Sequence, residues 1–179
     1  MKNINNYIFE KLNIKDIKCQ YKYFPKIREE LRKILRKRLK ENKDANLNDI
    51  DVSKITDMHQ LFHGLDPYNI DISEWDVSNV TTMEYMFYKC ENFNSDLSKW
   101  DVSNVKDMIG LFADCKKFNY DLSKWNVSNV TDMNYIFYYC KRFSSDLSDW
   151  NVSKVTNMRD MFYKCNSLKN KPSWYKNKL

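Results

Sequence analysis

His59 and His63 stand four residues apart, the spacing at which two imidazoles on one helical face can share a zinc ion. A hydrolytic zinc site of that kind needs glutamate at position 60, where the chain has Gln60, and no third histidine exists. Asp71, Asp96, Asp121 and Asp146 recur as a ladder of carboxylates. None has a second carboxylate in register, so each is read as accepting N–H groups of its own turn rather than holding calcium. Of five cysteines, Cys90, Cys115, Cys140 and Cys165 share one repeat position, and Leu65 fills it in the first copy. A position that takes Leu or Cys is a core position, and single cysteines so far apart match no compact zinc pattern. Stacked repeats about 4.8 Å apart would let neighbouring thiols cross-link. The absence of a signal segment and the odd thiol Cys19 favour reduced cysteines instead. With no glycine-rich phosphate loop and no Ser/His/Asp set, the expectation is a protein without catalytic residues, metal or cofactor.

Two other sets are suited to binding. One column of positions reads Gln60, Tyr85, Gly110, Tyr135, Asp160, and the next reads His63, Tyr88, Ala113, Tyr138, Tyr163. Tyrosine is amphipathic and loses little entropy on ordering, which suits it to recognition surfaces. Tyr85, Tyr88, Tyr135, Tyr138, Tyr139 and Tyr163 are therefore the expected partner-binding residues, the alternative being rings that pack across repeats and shield the core. The second set is cationic. Arg32, Lys33, Arg36, Lys37 and Lys40 lie on one segment, and Lys116, Lys117, Lys141 and Arg142 in later turns. Residues 26–43 carry nine cations against three glutamates, which equals the whole formal net charge of +6. Such a surface would suit an anionic partner such as nucleic acid, anionic lipid or an acidic protein. The competing reading is a capping helix with a solvated basic face.

The elements that position these residues are set by repetition. WDVSNVTTMEYMFYKC, from Trp75 to Cys90, returns at Trp100, Trp125 and Trp150, with a degenerate first copy from Asp51 to Leu65. Val52, Val77, Val102, Val127 and Val152 mark a constant step of 25 residues, the signature of a solenoid. In the fourth copy Met133, Ile136, Phe137 and Cys140 fall at i, i+3, i+4 and i+7, which predicts a short helix from Thr131, with Thr81, Thr131 and Thr156 as N-caps. Asp96–Ser98 and its equivalents are the expected short strands. Ahead of the repeats, Ile27, Leu31, Ile34, Leu35 and Leu39 form one helical stripe after Pro25. Pro172, and Trp174 only 24 residues after Trp150, mark the expected stop.

The pattern DLSxWDVSNVTxMxxMFxxCxxF resembles the leucine-rich-repeat-like unit of BspA-type bacterial surface proteins. It is closest to the variant common in mycoplasma surface lipoproteins and also found in other bacteria and mobile elements. The resemblance spans about residues 47–174. It implies a right-handed stack and a role in protein recognition, with no catalytic residues to carry over.

The expected fold is thus an α+β solenoid of short parallel strands and short helices, with a helical N-terminal cap over 1–46 containing the basic helix 26–43. Five 25-residue repeats follow over 47–174, then a tail, 175–179. The expected function is non-enzymatic: an intracellular protein binder, inhibitor or regulator, carried on a phage or mobile element and directed at a host defence complex. The alternatives are a nucleic-acid- or ribonucleoprotein-associated protein using the basic helix, and a surface adhesin. No apolar run approaches the ~20 residues of a membrane span. Met1–Asn6 carries no apolar signal, so a cytoplasmic monomer is expected.

Overall fold

The computed structural model describes residues 21–176. The opening element read at Tyr7, Ile8 and Leu12, the thiol Cys19 and the end of the tail lie outside the described residues. Two helices are present among them: α1, Arg28–Glu41, and α2, Ser173–Lys176. α1 contains neither Gly nor Pro, and it carries Glu29 and Glu30 in its first turn and Arg38 and Lys40 in its last, which matches the helix dipole. Leu31, Leu35 and Leu39 lie one turn apart and are buried; Ile34 is half-buried, and Ile27 is the extended N-cap residue, 54% exposed.

The α+β solenoid of short strands and short helices does not form. Within the repeats the described residues contain no helix, and the only pairing is by isolated parallel bridges, with no sheet. The physical reason lies in where the N–H groups go. In the fourth repeat, Ile136, Tyr138 and Cys140 donate back three residues to Met133, Tyr135 and Phe137, closing successive turns at 3.0–3.2 Å. The alternate residues Met133, Tyr135, Phe137 and Tyr139 donate to the carbonyls of Asn157, Arg159, Met161 and Tyr163 in the fifth repeat, at 2.8–3.1 Å. A helix cannot share its donors this way. Tyr135 and Tyr139 complete the break, since φ of 58° and 59° places both in the left-handed region. With no helix to cap, the Thr81, Thr131 and Thr156 hydroxyls instead donate to Thr56, Lys106 and Thr131 carbonyls one repeat back, each at 3.1 Å. The expected strand at Asp96–Ser98 is likewise absent; lateral pairing falls on single residues, chiefly Asp57, Thr82, Asp107, Asp132 and Asn157, with single bridges at Tyr23–Ile50 and Asn46–Asp71 nearer the N-terminal end.

The inward set survives this change of element, because a chain of three-residue turns returns to one side about as often as a helix does. Met133, Ile136, Phe137 and Cys140 are all fully buried. Phe62, Phe87, Phe112, Phe137 and Phe162 stack in one column with ring centroids 5.1–5.8 Å apart. Phe93, Phe118 and Phe143 form a second column, each ring 4.0–4.2 Å from its own repeat's member of the first. Trp75, Trp100, Trp125 and Trp150 are buried, and each indole donates to a carbonyl of the preceding repeat at 2.9–3.0 Å. Trp174 still continues that ladder, to Leu147 at 2.9 Å, although Pro172 stands where earlier repeats have Leu.

Candidate functional site

Stacking by forward-pointing N–H groups gives the molecule polarity. In repeat 2 the carbonyls of Glu84 and Met86 accept from Gln60 and Phe62. Their repeat 1 counterparts, His59 and Leu61, have no earlier repeat to accept from, nor has His63, and α1 supplies the donors. The Arg28 guanidinium donates to His59 at 3.1 Å. Arg32 donates to the carbonyls of Gln60, Leu61 and His63, the last two at 2.5 and 2.6 Å. Lys43 donates to Leu65 and Asp66 at 2.9 and 3.1 Å. Arg38 clamps Asp49 through two bonds of 2.9 and 3.0 Å and donates to the Asn46 carbonyl. The basic helix is thus split. Arg28 and Arg32 stand in for a missing repeat's donors, Arg38 and Lys43 tie the segment to neighbouring turns, and Lys33, Arg36, Lys37 and Lys40 remain exposed.

The other cations read as anion-binding are dispersed. Lys116 pairs with Glu91 at 2.5 Å. Lys117 sits over the Tyr68 ring, 4.9 Å from its centroid. Lys141 and Arg142 are exposed in the fourth repeat, well removed from α1 on the first.

The tyrosines converge. In every repeat the turn that begins the outer columns has a left-handed residue: Gln60, Tyr85, Gly110, Tyr135 and Asp160 have φ between 51° and 58°. Tyr85 and Tyr88 pack edge to face at 5.4 Å, and Tyr135 and Tyr138 repeat that pair at 5.4 Å two repeats on. Between the pairs, in repeat 3, stand Gly110 and Ala113, both buried. The short side chain of Ala113 leaves a groove of about 550 Å³ lined by Tyr85, Tyr88, Ala113, Asp114, Tyr135 and Tyr138, with Gln60, Arg159 and Asp160 toward its ends, while the Tyr85 ring covers Gly110. Glycine at 110 is required by space rather than by its left-handed φ, which Gln60, Tyr85, Tyr135 and Asp160 share at this position: a Cβ there would run into Cε1 of Tyr85, whose ring leans across it. Burial raises the phenol pKa of Tyr85 and Tyr138, with nearby carboxylates and phenols adding to it, so the walls are neutral rings.

Tyr139 and Tyr163 flank the groove rather than line it, 4.8 and 5.2 Å from the Tyr138 ring. Sequence columns placed the tyrosines but treated Gly110 and Ala113 as mere interruptions. Asp160 was named in its column without a role, and Asp114 and Arg159 were not named. The available signal was the paired absence, in one repeat, of both column tyrosines that its two neighbours carry.

The remaining chemistry-bearing residues serve the fold. Cys90, Cys115, Cys140 and Cys165 are free, buried thiols, each with its sulfur 2.9–3.5 Å from a carbonyl of the preceding repeat. Burial pushes the Cys165 thiol up to about 12 and raises the other three as well, which removes thiolate reactivity. Asp71, Asp96, Asp121 and Asp146 accept the N–H of Ser73, Ser98, Ser123 and Ser148 at 2.9–3.1 Å. His63 packs on Tyr88 at 5.1 Å, and His59 lies 3.2 Å from the Glu84 carboxylate. No described helix is long and apolar enough to cross a membrane.

No curated protein and no solved structure matches the chain. A family model described as Mycoplasma protein of unknown function, DUF285, matches twice, over residues 29–124 and 99–178. The matches begin inside α1 and run through all five repeats to the chain's end, so the helix that caps the first repeat falls within the family's own pattern. The chain belongs to this repeat family, DUF285.

Proposed function

We propose that the chain is a non-enzymatic protein-binding module whose partner docks on the tyrosine-walled groove across repeats 2 to 4. It acts inside the cell as a binder, inhibitor or regulator of that partner. The observation that supports this reading is the groove itself. A fold that repeats its core residues five times departs from repetition at Gly110 and Ala113, and the departure at Ala113 opens a concavity between two tyrosine pairs. Its volume lies in the range of sites that hold one or a few side chains, and tyrosine-rich walls suit partner recognition.

A second reading rests on Lys33, Arg36, Lys37 and Lys40, exposed after the arginines beside them have turned to backbone carbonyls. It makes the outer face of α1 an anchor for nucleic acid. One experiment separates the two: pull-down from the native lysate, with and without nuclease. The baits are wild type, Ala113→Tyr, and the quadruple Lys33→Glu, Arg36→Glu, Lys37→Glu, Lys40→Glu variant. Tyrosine at 113 copies its neighbours in the column, so it fills the groove in a way the fold already accommodates. The expected result is one protein retained by wild type and by the quadruple variant but lost from Ala113→Tyr. Retention that survives Ala113→Tyr and vanishes with nuclease or charge reversal overturns the groove reading.

A further inference from the structure

The groove has the form of one absent ring in a stack. Along the column, His63 and Tyr88 lie 5.1 Å apart, and Tyr138 and Tyr163 lie 5.2 Å apart with planes only 16° from parallel. Ala113 interrupts the column, so the Tyr88 and Tyr138 rings stand two repeats apart on either side of the cavity, with no ring between them. The electrostatics of the slot favour a cation. Asp114 lines it and makes no ion pair among the described residues, while Asp160 at the end is matched by Arg159 at 3.5 Å. Tyrosine faces carry negative potential, and this face already seats the chain's own cations. Lys89 lies 5.1 Å from the Tyr88 centroid and Lys164 lies 5.7 Å from that of Tyr163.

We infer that the groove is a receptor for an arginine side chain of the partner, its guanidinium plane lying between Tyr88 and Tyr138 and its charge met by Asp114. This rests on the groove being the docking face. A neutral aromatic side chain would fill the slot but leave Asp114 unanswered. A lysine would answer the charge but, being a compact point charge, has no second face to stack. A nucleobase would bring its phosphates toward Asp114 and Asp160, the wrong sign for a nucleic-acid backbone.

The chain contains only two alanines, Ala45 and Ala113. Protein labelled at the alanine methyl therefore gives one signal in the floor of the groove and one buried control near the N-terminal cap. The probes are N-acetylarginine amide and its neutral planar analogue N-acetylcitrulline amide, titrated into wild type and Asp114→Asn. Asn tolerates the left-handed backbone of position 114, where φ is 62°, so this variant keeps the turn. The expected result is a saturable shift of the Ala113 methyl with the arginine probe and a still Ala45. Binding is expected to be about tenfold weaker for citrulline, and for arginine on Asp114→Asn. Equal binding of citrulline, indifference to Asp114→Asn, or an Ala113 methyl that no probe moves would each overturn the inference. The docking face is judged separately. If Ala113→Tyr abolishes partner retention while the arginine probe leaves the methyl unmoved, the face stands and its occupant is wrong. If retention survives Ala113→Tyr, the face itself is wrong.

Discussion

Along the run of turns that carries the tyrosine columns, the first repeat turns carbonyls outward and the last turns N–H groups outward, while the segment at Thr81, Lys106, Thr131 and Thr156 bonds in the opposite sense. The N-terminal end closes with charge: Arg28 and Arg32 stand where a preceding repeat's donors would be. The C-terminal end closes with rings. Tyr175 packs edge to face on Phe162 at 5.1 Å, and Trp174 occupies the next indole position. Among the described residues nothing accepts from the N–H groups of Met158, Asp160, Phe162 and Lys164, whose counterparts in repeat 4 all bond forward. One end satisfies its backbone and its apolar core together, the other chiefly its core. Unmatched donors are tolerated where water reaches them, and the last repeat is the one whose core residues begin to show exposure, Met158 at 6% and Cys165 at 9%.

Substitutions that separate ends from middle test this contrast. The largest effect is expected for Phe112→Ala, a fully buried ring stacked between Phe87 and Phe137. It should cost about 4 kcal/mol, and Phe162→Ala, with a neighbouring repeat on one side only, clearly less, by urea denaturation. Equal costs would mean that the C-terminal cap buries its repeat as fully as a neighbour does. Next comes Arg32→Leu, which strips the donor from three part-buried carbonyls and should cost about 2 to 3 kcal/mol. Arg36→Leu, on the exposed face of the same helix, should change stability by less than about 0.5 kcal/mol. If the two arginines prove equivalent, the carbonyl-capping account of α1 fails.

Hydrogen exchange reads the other end directly. The amides of Asp160 and Phe162 should exchange far faster than those of Tyr135 and Phe137, which differ mainly in having a following repeat. Matched protection would show that the last repeat's donors are satisfied after all. The smallest effect is a dependence on pH. Burial first, then Arg32 and Lys89, lower the His63 pKa below the imidazole value of 6.5. The folded state therefore prefers neutral His63. The stability this gives is complete above pH 6.5 and declines as pH falls through the lowered folded value. His63→Gln should flatten a melting-temperature profile in that acid range and leave it unchanged above neutrality.

What the sequence revealed was tied to what repetition constrains. Phe137, Cys140, Trp150 and their equivalents were legible as core because five copies of one pattern fix which side chains face inward. The element type was not. The i, i+3, i+4, i+7 spacing of Met133, Ile136, Phe137 and Cys140 fits a helix and a run of turns equally. Only the destination of alternate N–H groups separates the two, and that destination lies in another repeat. The roles of Arg28 and Arg32 were hidden for a related reason. A basic residue on an amphipathic helix looks the same whether it meets water or a row of unpaired carbonyls. The groove was half visible: its walls are residues that are present, its floor the side chain that Ala113 lacks.

The junction between repeats has one further consequence. Each repeat meets the next through the same bonds in the same register, so copy number is a variable that the fold leaves free. Duplicating one whole unit at an internal junction would preserve every hydrogen bond and leave both ends untouched. Inserting one residue more or fewer would misplace each left-handed position downstream within that unit. A duplicated third unit would enlarge the recess between its tyrosine walls, and a deleted one would bring those walls into direct contact. Lineages carrying this repeat can therefore reshape the tyrosine face by gaining or losing whole units, a coarser and faster change than substituting residues one by one.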